Sequence, residues 1–338
     1  MLITTIDELR CFVNVNISLN YKDVEPHLKR VELDIIRKAI GAEQLEAFET
    51  FLQSSGSGSA SSSGSTGTST FEEGLDLIRF AEANLALMMW SQTGSVQISS
   101  TGIHRVEAST EKGGKKSAFQ YQEEGVKEAF KNAGYNYLNL ALTFMDANLT
   151  VFSAFAASAE ITQYRGGIIY NVSQFEDAYS IGGSYLVFAR LKPLLSAAED
   201  FEIAPAIGNT LTDKLRAEVL KQSNFDTKLQ TLLPKIRKAI AHFAIADMMC
   251  QPGEITDQGL IFKGIEAVSS NMIKRSQASD AQTQMRINQA RQFGRNYLQQ
   301  VLGFLAANPT DYPDYTTHLG TGDNELSFES TNGKNFFA

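Results

Sequence analysis

Four blocks of similar residues occur twice in this chain, in the same order, and this internal repeat constrains the fold more than any other feature of the sequence. The paired blocks are 26–41 with 193–208, 78–86 with 236–244, 98–102 with 255–259 and 134–148 with 294–308, at offsets of 167, 158, 157 and 160 residues. Chance similarity between apolar helices would explain one such pair but not four in order. The chain is therefore predicted to be two diverged copies of one unit.

The matched residues are mostly Gly, Ala, Ile, Leu, Tyr and Phe, which fill cores and end helices. Apolar residues recur at helical spacing in most blocks, whereas residues 95–106 and 254–263 are typical of a short strand or hairpin. We predict a mainly α fold, an internally duplicated helical bundle that forms a pseudo-dimer, with a short β-hairpin or strand element in each copy. The predicted divisions are a first helical repeat at 1–150, a second at 151–310 and an extended C-terminal tail at 311–338.

Residues 54–70 read SSGSGSASSSGSTGTST and contain nothing that could enter a core. The fall in offset from 167 to 158 makes the first copy nine residues longer at this point. We therefore predict that 54–70 is a flexible insertion. Helix starts are predicted at three capping boxes, which begin at Thr5, Thr70 and Ser173. Helix ends are predicted at Gly41 and Gly208.

No pattern of reactive residues stands out in the sequence. The four histidines and two cysteines are not spaced for a metal site or a disulfide framework, and no phosphate-binding glycine loop or nucleophile elbow occurs. We therefore predict no catalytic residue, no cofactor and no metal. His242, on an apolar helix, is interpreted as a core or boundary residue. The net charge of −8 argues against a protein that grips nucleic acid. Neither a signal peptide nor a membrane-spanning segment is expected.

Two segments are candidates for interaction. The loop at 111–116 is either a solvated turn or a contact for phosphate or an acidic partner, through Lys112, Lys115 and Lys116. The tail carries spaced aromatic residues that either pack on their own chain or anchor another subunit. These tail residues are Tyr312, Tyr315, Phe328, Phe336 and Phe337.

Several motifs resemble a domain-of-unknown-function family found in phages and prophages of Bacteroidota. They are TTIDELRCFV (4–13), AIGAEQLEAF (39–48), ISSTGIHRVEA (98–108), GYNYLNLALTFMDAN (134–148) and LGFLAANPTDYPDY (302–315). The family is similar to the ring proteins at the portal vertex of crAss-like phages, and through them to head–tail connector (adaptor) proteins. The resemblance covers nearly the whole chain outside 54–70 and much of the tail.

This resemblance implies a virion structural protein rather than an enzyme. Its subunits would form a homo-oligomeric, twelve-fold ring below the portal, bound to the portal protein and to other connector or tail proteins. DNA would pass through the channel without sequence-specific binding, in a virion neck assembled in the host cytoplasm and without a membrane. Two other hypotheses remain open at this point: an assembly factor or scaffold that leaves before maturation, and an enzyme with a site between the two repeats.

Overall fold

The computed structural model describes residues 1–15, 19–54, 66–93, 96–99, 102–105, 120–221, 224–250, 253–256, 259–262 and 280–320. The chain divides into two compact units. Unit 1 comprises Met1–Tyr164 with Ser184–Leu186, and unit 2 comprises Arg165–Gly183 with Val187–Ala338. The division therefore falls after residue 164 and not after residue 150 as predicted, because the short helical segments of 151–164 pack in unit 1.

Unit 1 is a helical bundle with one two-stranded antiparallel hairpin. Its elements are α1 (Ile6–Phe12), α2 (Tyr21–Val31), a π-helical turn (Glu32–Ile36), α3 (Arg37–Ile40), α4 (Ala42–Ser54), α5 (Thr66–Thr93), β1 (Val96–Ser99), β2 (Gly102–Arg105), α6 (Gln120–Ala147), α7 (Ser153–Ala157) and α8 (Ala159–Tyr164). The long helices α5 and α6 pack along each other and carry much of the buried apolar surface.

Unit 2 repeats this order. Its elements are α9 (Val172–Glu176), α10 (Tyr185–Ala198), a π-helical turn (Glu199–Ile203), α11 (Ala204–Ile207), α12 (Asn209–Leu220), α13 (Thr227–Cys250), β3 (Gly253–Thr256), β4 (Gly259–Phe262), α14 (Asp280–Ala307) and α15 (Pro313–Gly320). The helices α13 and α14 pack together as α5 and α6 do, and β3 pairs antiparallel with β4. The prediction of a mainly α, internally duplicated bundle is confirmed.

The close packing of the long helices depends on one glycine in each unit. A Cβ placed on Gly134 of α6 would lie 2.6 Å from Cγ of Leu85, and one on Gly294 of α14 would lie 2.8 Å from the ring of Phe243. Carbon atoms in contact normally stay about 3.5–4.0 Å apart, so a larger residue would force the helices apart. The repeat retains these glycines because both helix pairs need the same close approach.

A π-helical turn interrupts the same long helix in both units. Each turn begins at a buried glutamate, Glu32 in unit 1 and Glu199 in unit 2, and each helix ends at a glycine nine residues later. Gly41 and Gly208 adopt φ values of 87° and 92°, which L-residues with a side chain rarely tolerate. The two predicted helix ends are confirmed.

The predicted helix starts are only partly right. Thr5 forms the expected capping box with Glu8. Thr70, in contrast, lies inside α5, which already begins at Thr66, so the last residues of the predicted flexible insertion are helical. In unit 2 the cap is Asn171, whose side chain accepts a hydrogen bond from the backbone of Gln174, rather than Ser173. Residues 55–65 of the insertion lie outside the described part of the chain.

Part of the predicted tail folds into unit 2. Residues 313–320 form α15, which corresponds to the segment after α6 in unit 1, so the tail is not extended at this point. Residues 321–338 lie outside the described part. None of the helices that the structure describes is both long and apolar enough to cross a membrane.

Candidate functional site

A buried carboxylate holds the first residues of each unit. In unit 1, Glu32 accepts a hydrogen bond from the backbone N–H of Leu2 at 3.1 Å, and Arg79 donates to the Leu2 carbonyl at 2.8 Å. In unit 2, the backbone N–H of Ile168 donates a hydrogen bond to Glu199 at 2.7 Å, and Arg237 donates one to the Ile168 carbonyl at 2.9 Å. We call this arrangement the carboxylate clamp. Its occurrence in both units indicates a structural role, because each charged group is used to position backbone.

Electrostatics in the unit 2 clamp follow from burial. Removal from water raises the pKa of Glu199 above its ordinary value, although the hydrogen bond from Ile168 and the contact with Arg216 oppose this shift. Arg216 Nε lies 3.0 Å from Glu199 and Arg216 Nη2 lies 2.6 Å from Asp200. Burial also lowers the pKa of the Arg237 guanidinium. Glu199 and Asp200 are therefore paired with Arg216, while Glu199 and Arg237 also bind the backbone of Ile168.

Glu82 is the most unusual titratable group of unit 1. It is fully buried on α5, and neither carboxylate oxygen has a hydrogen-bond partner among the described residues. Burial raises the pKa of Glu82 well above its ordinary value, and nearby Glu32 and Glu8 raise it further while Arg79 lowers it. Burial raises the pKa of the nearby Tyr21 to about 12, and Glu25 raises it further. Burial of an acid whose charged form has no compensating partner favours the protonated carboxyl group.

His242 lies in an aromatic enclosure in unit 2. Its ring is 5.7 Å from Tyr179, 5.6 Å from Phe293 and 5.3 Å from Tyr297, the last pair being stacked. Burial lowers the pKa of His242, so the ring is neutral at pH 7. The interpretation of His242 as a core or boundary residue agrees with its 8 % exposure.

Next to this enclosure, the surface of unit 2 opens into a groove of about 320 Å³ between α13 and α14. We call it the unit 2 groove; its lining residues are Thr231, Pro234, Lys235, Lys238, Tyr297 and Gln300. The ammonium of Lys235 lies 4.8 Å from the Phe304 ring centroid, and that of Lys238 lies 5.9 Å from the Tyr297 centroid. Neither lysine pairs with a carboxylate in the described part of the chain.

The corresponding surface of unit 1 has different chemistry. Residues aligned with the groove, at the repeat offsets of 158 and 160, are Glu73, Asp76, Leu77, Phe80, Tyr137 and Leu140. Phe80 replaces Lys238 and stacks on Tyr137, with ring centroids 4.8 Å apart and an interplanar angle of 17°. Glu73 and Asp76 are exposed, and Leu140 is 52 % exposed. We call the set Glu73, Asp76, Leu77 and Leu140 the unit 1 acidic face.

The two tail tyrosines predicted as interaction candidates are buried. Tyr312 and Tyr315 are 3 % and 6 % exposed, and the Tyr312 hydroxyl donates a 2.8 Å hydrogen bond to the Lys228 carbonyl. They align with Phe152 and Phe155 of unit 1, which are also buried. Of the two alternatives for the tail aromatics, packing on their own chain is therefore the one that Tyr312 and Tyr315 adopt, because both rings are buried in the core of their own unit.

The other predicted interaction residues, Lys112, Lys115, Lys116, Phe328, Phe336 and Phe337, lie outside the described residues. Within the described ranges, no group of three or more His, Cys, Asp or Glu side chains could hold a metal ion. Cys11 and Cys250 are exposed free thiols.

Sequence reasoning missed Lys235 and Lys238 as candidate binding residues. A signal for them is present in the repeat, since the aligned residues Leu77 and Phe80 are apolar and unit 1 carries Glu73 and Asp76 beside them. Residues that the two copies share indicate the common fold. Residues in which the copies differ mark the surface where the chemistry diverged.

Residues 43–165 and 203–325 each match the family of unknown function DUF6712. The chain belongs to this family. The two DUF6712 segments begin 160 residues apart, which is the offset of the last repeat block, and the second segment includes α15. Comparisons with curated proteins and with solved structures found no match. Membership in DUF6712 therefore establishes the duplication independently of the folded structure and leaves the function to be inferred from chemistry.

Proposed function

We propose that this DUF6712 protein is a structural subunit of a phage virion, a head–tail connector that forms an oligomeric ring below the portal around the DNA channel. The observation that carries this proposal is the carboxylate clamp, which both units use for the same purpose. Duplication with retention of packing groups supports a scaffold role, since a scaffold acts through shape and surface rather than through a reactive group.

The surface chemistry supports the same proposal. The chain combines a net-acidic composition with a basic groove on one unit and an acidic, partly apolar face on the other. Subunits in a ring contact each other head to tail, so each needs two different surfaces that complement each other. An acidic chain around a channel also lets DNA slide, because like charges prevent tight binding to phosphate.

The motifs that resemble the portal-vertex ring proteins support the proposed position of this protein in the particle. Of these motifs, 39–48 ends the π-interrupted helix at Gly41 and begins α4, and 134–148 covers the second half of α6, the helix that packs on α5. Both segments contribute buried residues to the core of unit 1. The resemblance of these packing motifs to those of the portal-vertex ring proteins supports a similar place in the particle, and the ring is the proposal that follows.

Quantitative mass spectrometry of purified particles tests this proposal. Isotope-labelled peptides from this chain and from the portal protein would give the copy ratio in mature virions, with empty precursor particles as the comparison. A fixed ratio near one copy per portal subunit in mature virions is the expected result. Absence from mature virions would reject the connector, and presence only in precursors would identify an assembly factor instead.

A further inference from the structure

We propose that the unit 2 groove binds the unit 1 acidic face of a second copy of this chain. This inference rests on the proposed ring and names the interface that would build it. The ligand is an acidic, partly apolar helix surface, and the recognition groups are the two lysines and the tyrosine of the groove.

The charged groups of the two surfaces have the same spacing. Lys235 and Lys238 are three residues apart on α13, and Glu73 and Asp76 are three residues apart on α5. Side chains at this separation lie on the same helix face, about 5–6 Å apart. Asp76 lies 3.9 Å from Arg79 on its own helix and keeps a 56 % exposed side chain, so its carboxylate still faces solvent. Two carboxylates on one helix can therefore meet two ammonium groups on another in a single docking arrangement.

The groove lysines are positioned and carry no neutralising carboxylate among the described residues. Cation–π contacts with Phe304 and Tyr297 hold the two ammonium groups at the edge of the groove. Lys214 and Lys228 of the same unit, in contrast, each have a carboxylate already, at 2.7 and 2.9 Å. The charge of the groove is therefore available to a partner.

The apolar parts of both surfaces indicate the class of partner. The phosphates of duplex DNA could pair with the two lysines, but the charged DNA backbone would gain no stability from contact with apolar side chains. The unit 1 acidic face places the half-exposed Leu140 and the partly buried Leu77 beside its carboxylates, and the groove offers Pro234 and the Tyr297 ring as apolar contacts. Aromatic residues with a polar surround are typical of protein interfaces. The combined surfaces therefore favour protein over nucleic acid, and a net charge of −8 does so too.

The asymmetry of the duplication supplies the two complementary ends. If both units had kept the acidic surface, like charges would repel at every contact between them. The presence of lysine in one copy where the other has Leu77 and Phe80 creates a pair of unlike surfaces on one chain. Such a pair gives a head-to-tail contact, which closes into a ring when the rotation between subunits allows it.

A charge-swap experiment on the full chain tests the interface. Variant A carries Lys235→Glu and Lys238→Glu, and variant B carries Glu73→Lys and Asp76→Lys. Sedimentation velocity at about 50 mM and about 500 mM NaCl separates electrostatic from apolar association. Each variant alone is expected to self-associate at least about tenfold more weakly than wild type, because like charges then face each other.

Mixing the variants provides the decisive measurement. In the equimolar mixture, the acidic groove of variant A can bind the basic face of variant B, and the basic groove of B can bind the acidic face of A. The mixture is therefore expected to regain association near the wild-type level. Two control variants change the same net charge at exposed positions elsewhere: Lys22→Glu with Arg286→Glu, and Glu43→Lys with Glu46→Lys. Circular dichroism melting establishes that every variant is folded.

Several outcomes would overturn the inference. They are wild-type association by A or B alone, a mixture that associates no better than its components, and a wild-type chain that stays monomeric at every concentration. Unchanged self-association of A with weaker binding to a duplex DNA fragment would assign the groove to phosphate. Any of these results leaves the proposed function standing if the chain is present in mature virions, whereas absence from virions rejects that function whatever the swap shows.

Discussion

The backbone N–H of Ile168 donates a 2.7 Å hydrogen bond to the carboxylate of Glu199, a side chain that is 1 % exposed. The same bond joins Leu2 to Glu32 in unit 1. In both units it ties the start of the unit to the π-helical turn, far away along the chain. A contact between distant segments of this kind determines how the helices are arranged, and not only whether they form.

Replacement of Glu199 by alanine is expected to lower the free energy of unfolding by about 2–3 kcal/mol, because it leaves the buried N–H of Ile168 without an acceptor and removes the buried carboxylate that pairs with Arg216. The loss is held below that of a fully buried ion pair because Arg216 is one-third exposed. Urea unfolding followed by circular dichroism measures it. Asp200→Ala is the matched control, since Asp200 binds the same arginine from an exposed position, and its effect should stay within about 0.5 kcal/mol. Equal losses in the two variants would contradict the clamp.

Alanine substitution of glycines separates packing from helix propensity. Gly134→Ala and Gly294→Ala should each destabilise the protein by about 1–3 kcal/mol, because the new Cβ collides with Leu85 or Phe243. Gly125 and Gly303 lie in the same helices, and a Cβ added at either would meet nothing within 4 Å. Alanine at these two sites should stabilise by up to about 1 kcal/mol, because glycine is a poor helix former. Thermal unfolding measures all four, and a stabilising Gly134→Ala would disprove the close approach.

Glu82 should make the stability of unit 1 fall as pH rises. The pKa of Glu82 in the folded protein lies above its ordinary value of 4.5. At a pH between these two pKa values, the folded protein therefore holds a proton that the unfolded chain has released. Stability is therefore fully present below the unfolded-state pKa and is lost as pH rises toward the folded-state pKa, by at most about 1.4 kcal/mol per pH unit.

Urea unfolding of wild type and Glu82→Gln across this pH range measures the difference. The neutral glutamine removes the titration, so the variant should gain on wild type as pH increases. Glu72→Gln, which makes the same substitution on the exposed surface of α5, serves as the control. A Glu82→Gln curve parallel to that of wild type would show that Glu82 ionises as readily when folded as when unfolded.

Tyr312 should contribute to the stability of the isolated chain, because it packs within unit 2. Tyr312→Ala is expected to cost about 3–5 kcal/mol through loss of the buried ring. Tyr312→Phe should cost only about 0.5–1.5 kcal/mol, since it removes the hydrogen bond to Lys228 and keeps the ring. Calorimetry of both variants at low protein concentration measures the losses. Wild-type stability of Tyr312→Ala would return this residue to the candidates for contacts between subunits.

The duplication, the mainly α class and the glycines that end the π-interrupted helices can all be predicted from the amino-acid sequence. These features depend on local preferences and on a repeat that is visible along the chain, as at Gly41 and Gly208. Helix starts were less well determined, since Thr70 matches a capping pattern yet lies inside α5. A capping box describes only four residues and does not by itself determine where a helix begins.

The burial of polar residues and the exposure of surfaces become visible only in the folded chain. The sequence around Tyr312 is compatible with a free arm, whereas in the structure this residue is buried in unit 2. Likewise, Tyr297 lies far along the chain from Lys235 and Lys238. Only the packing of α13 on α14 brings these three side chains into one groove. Side-chain burial depends on contacts between distant segments, so it follows from the arrangement of the helices and not from their sequence pattern.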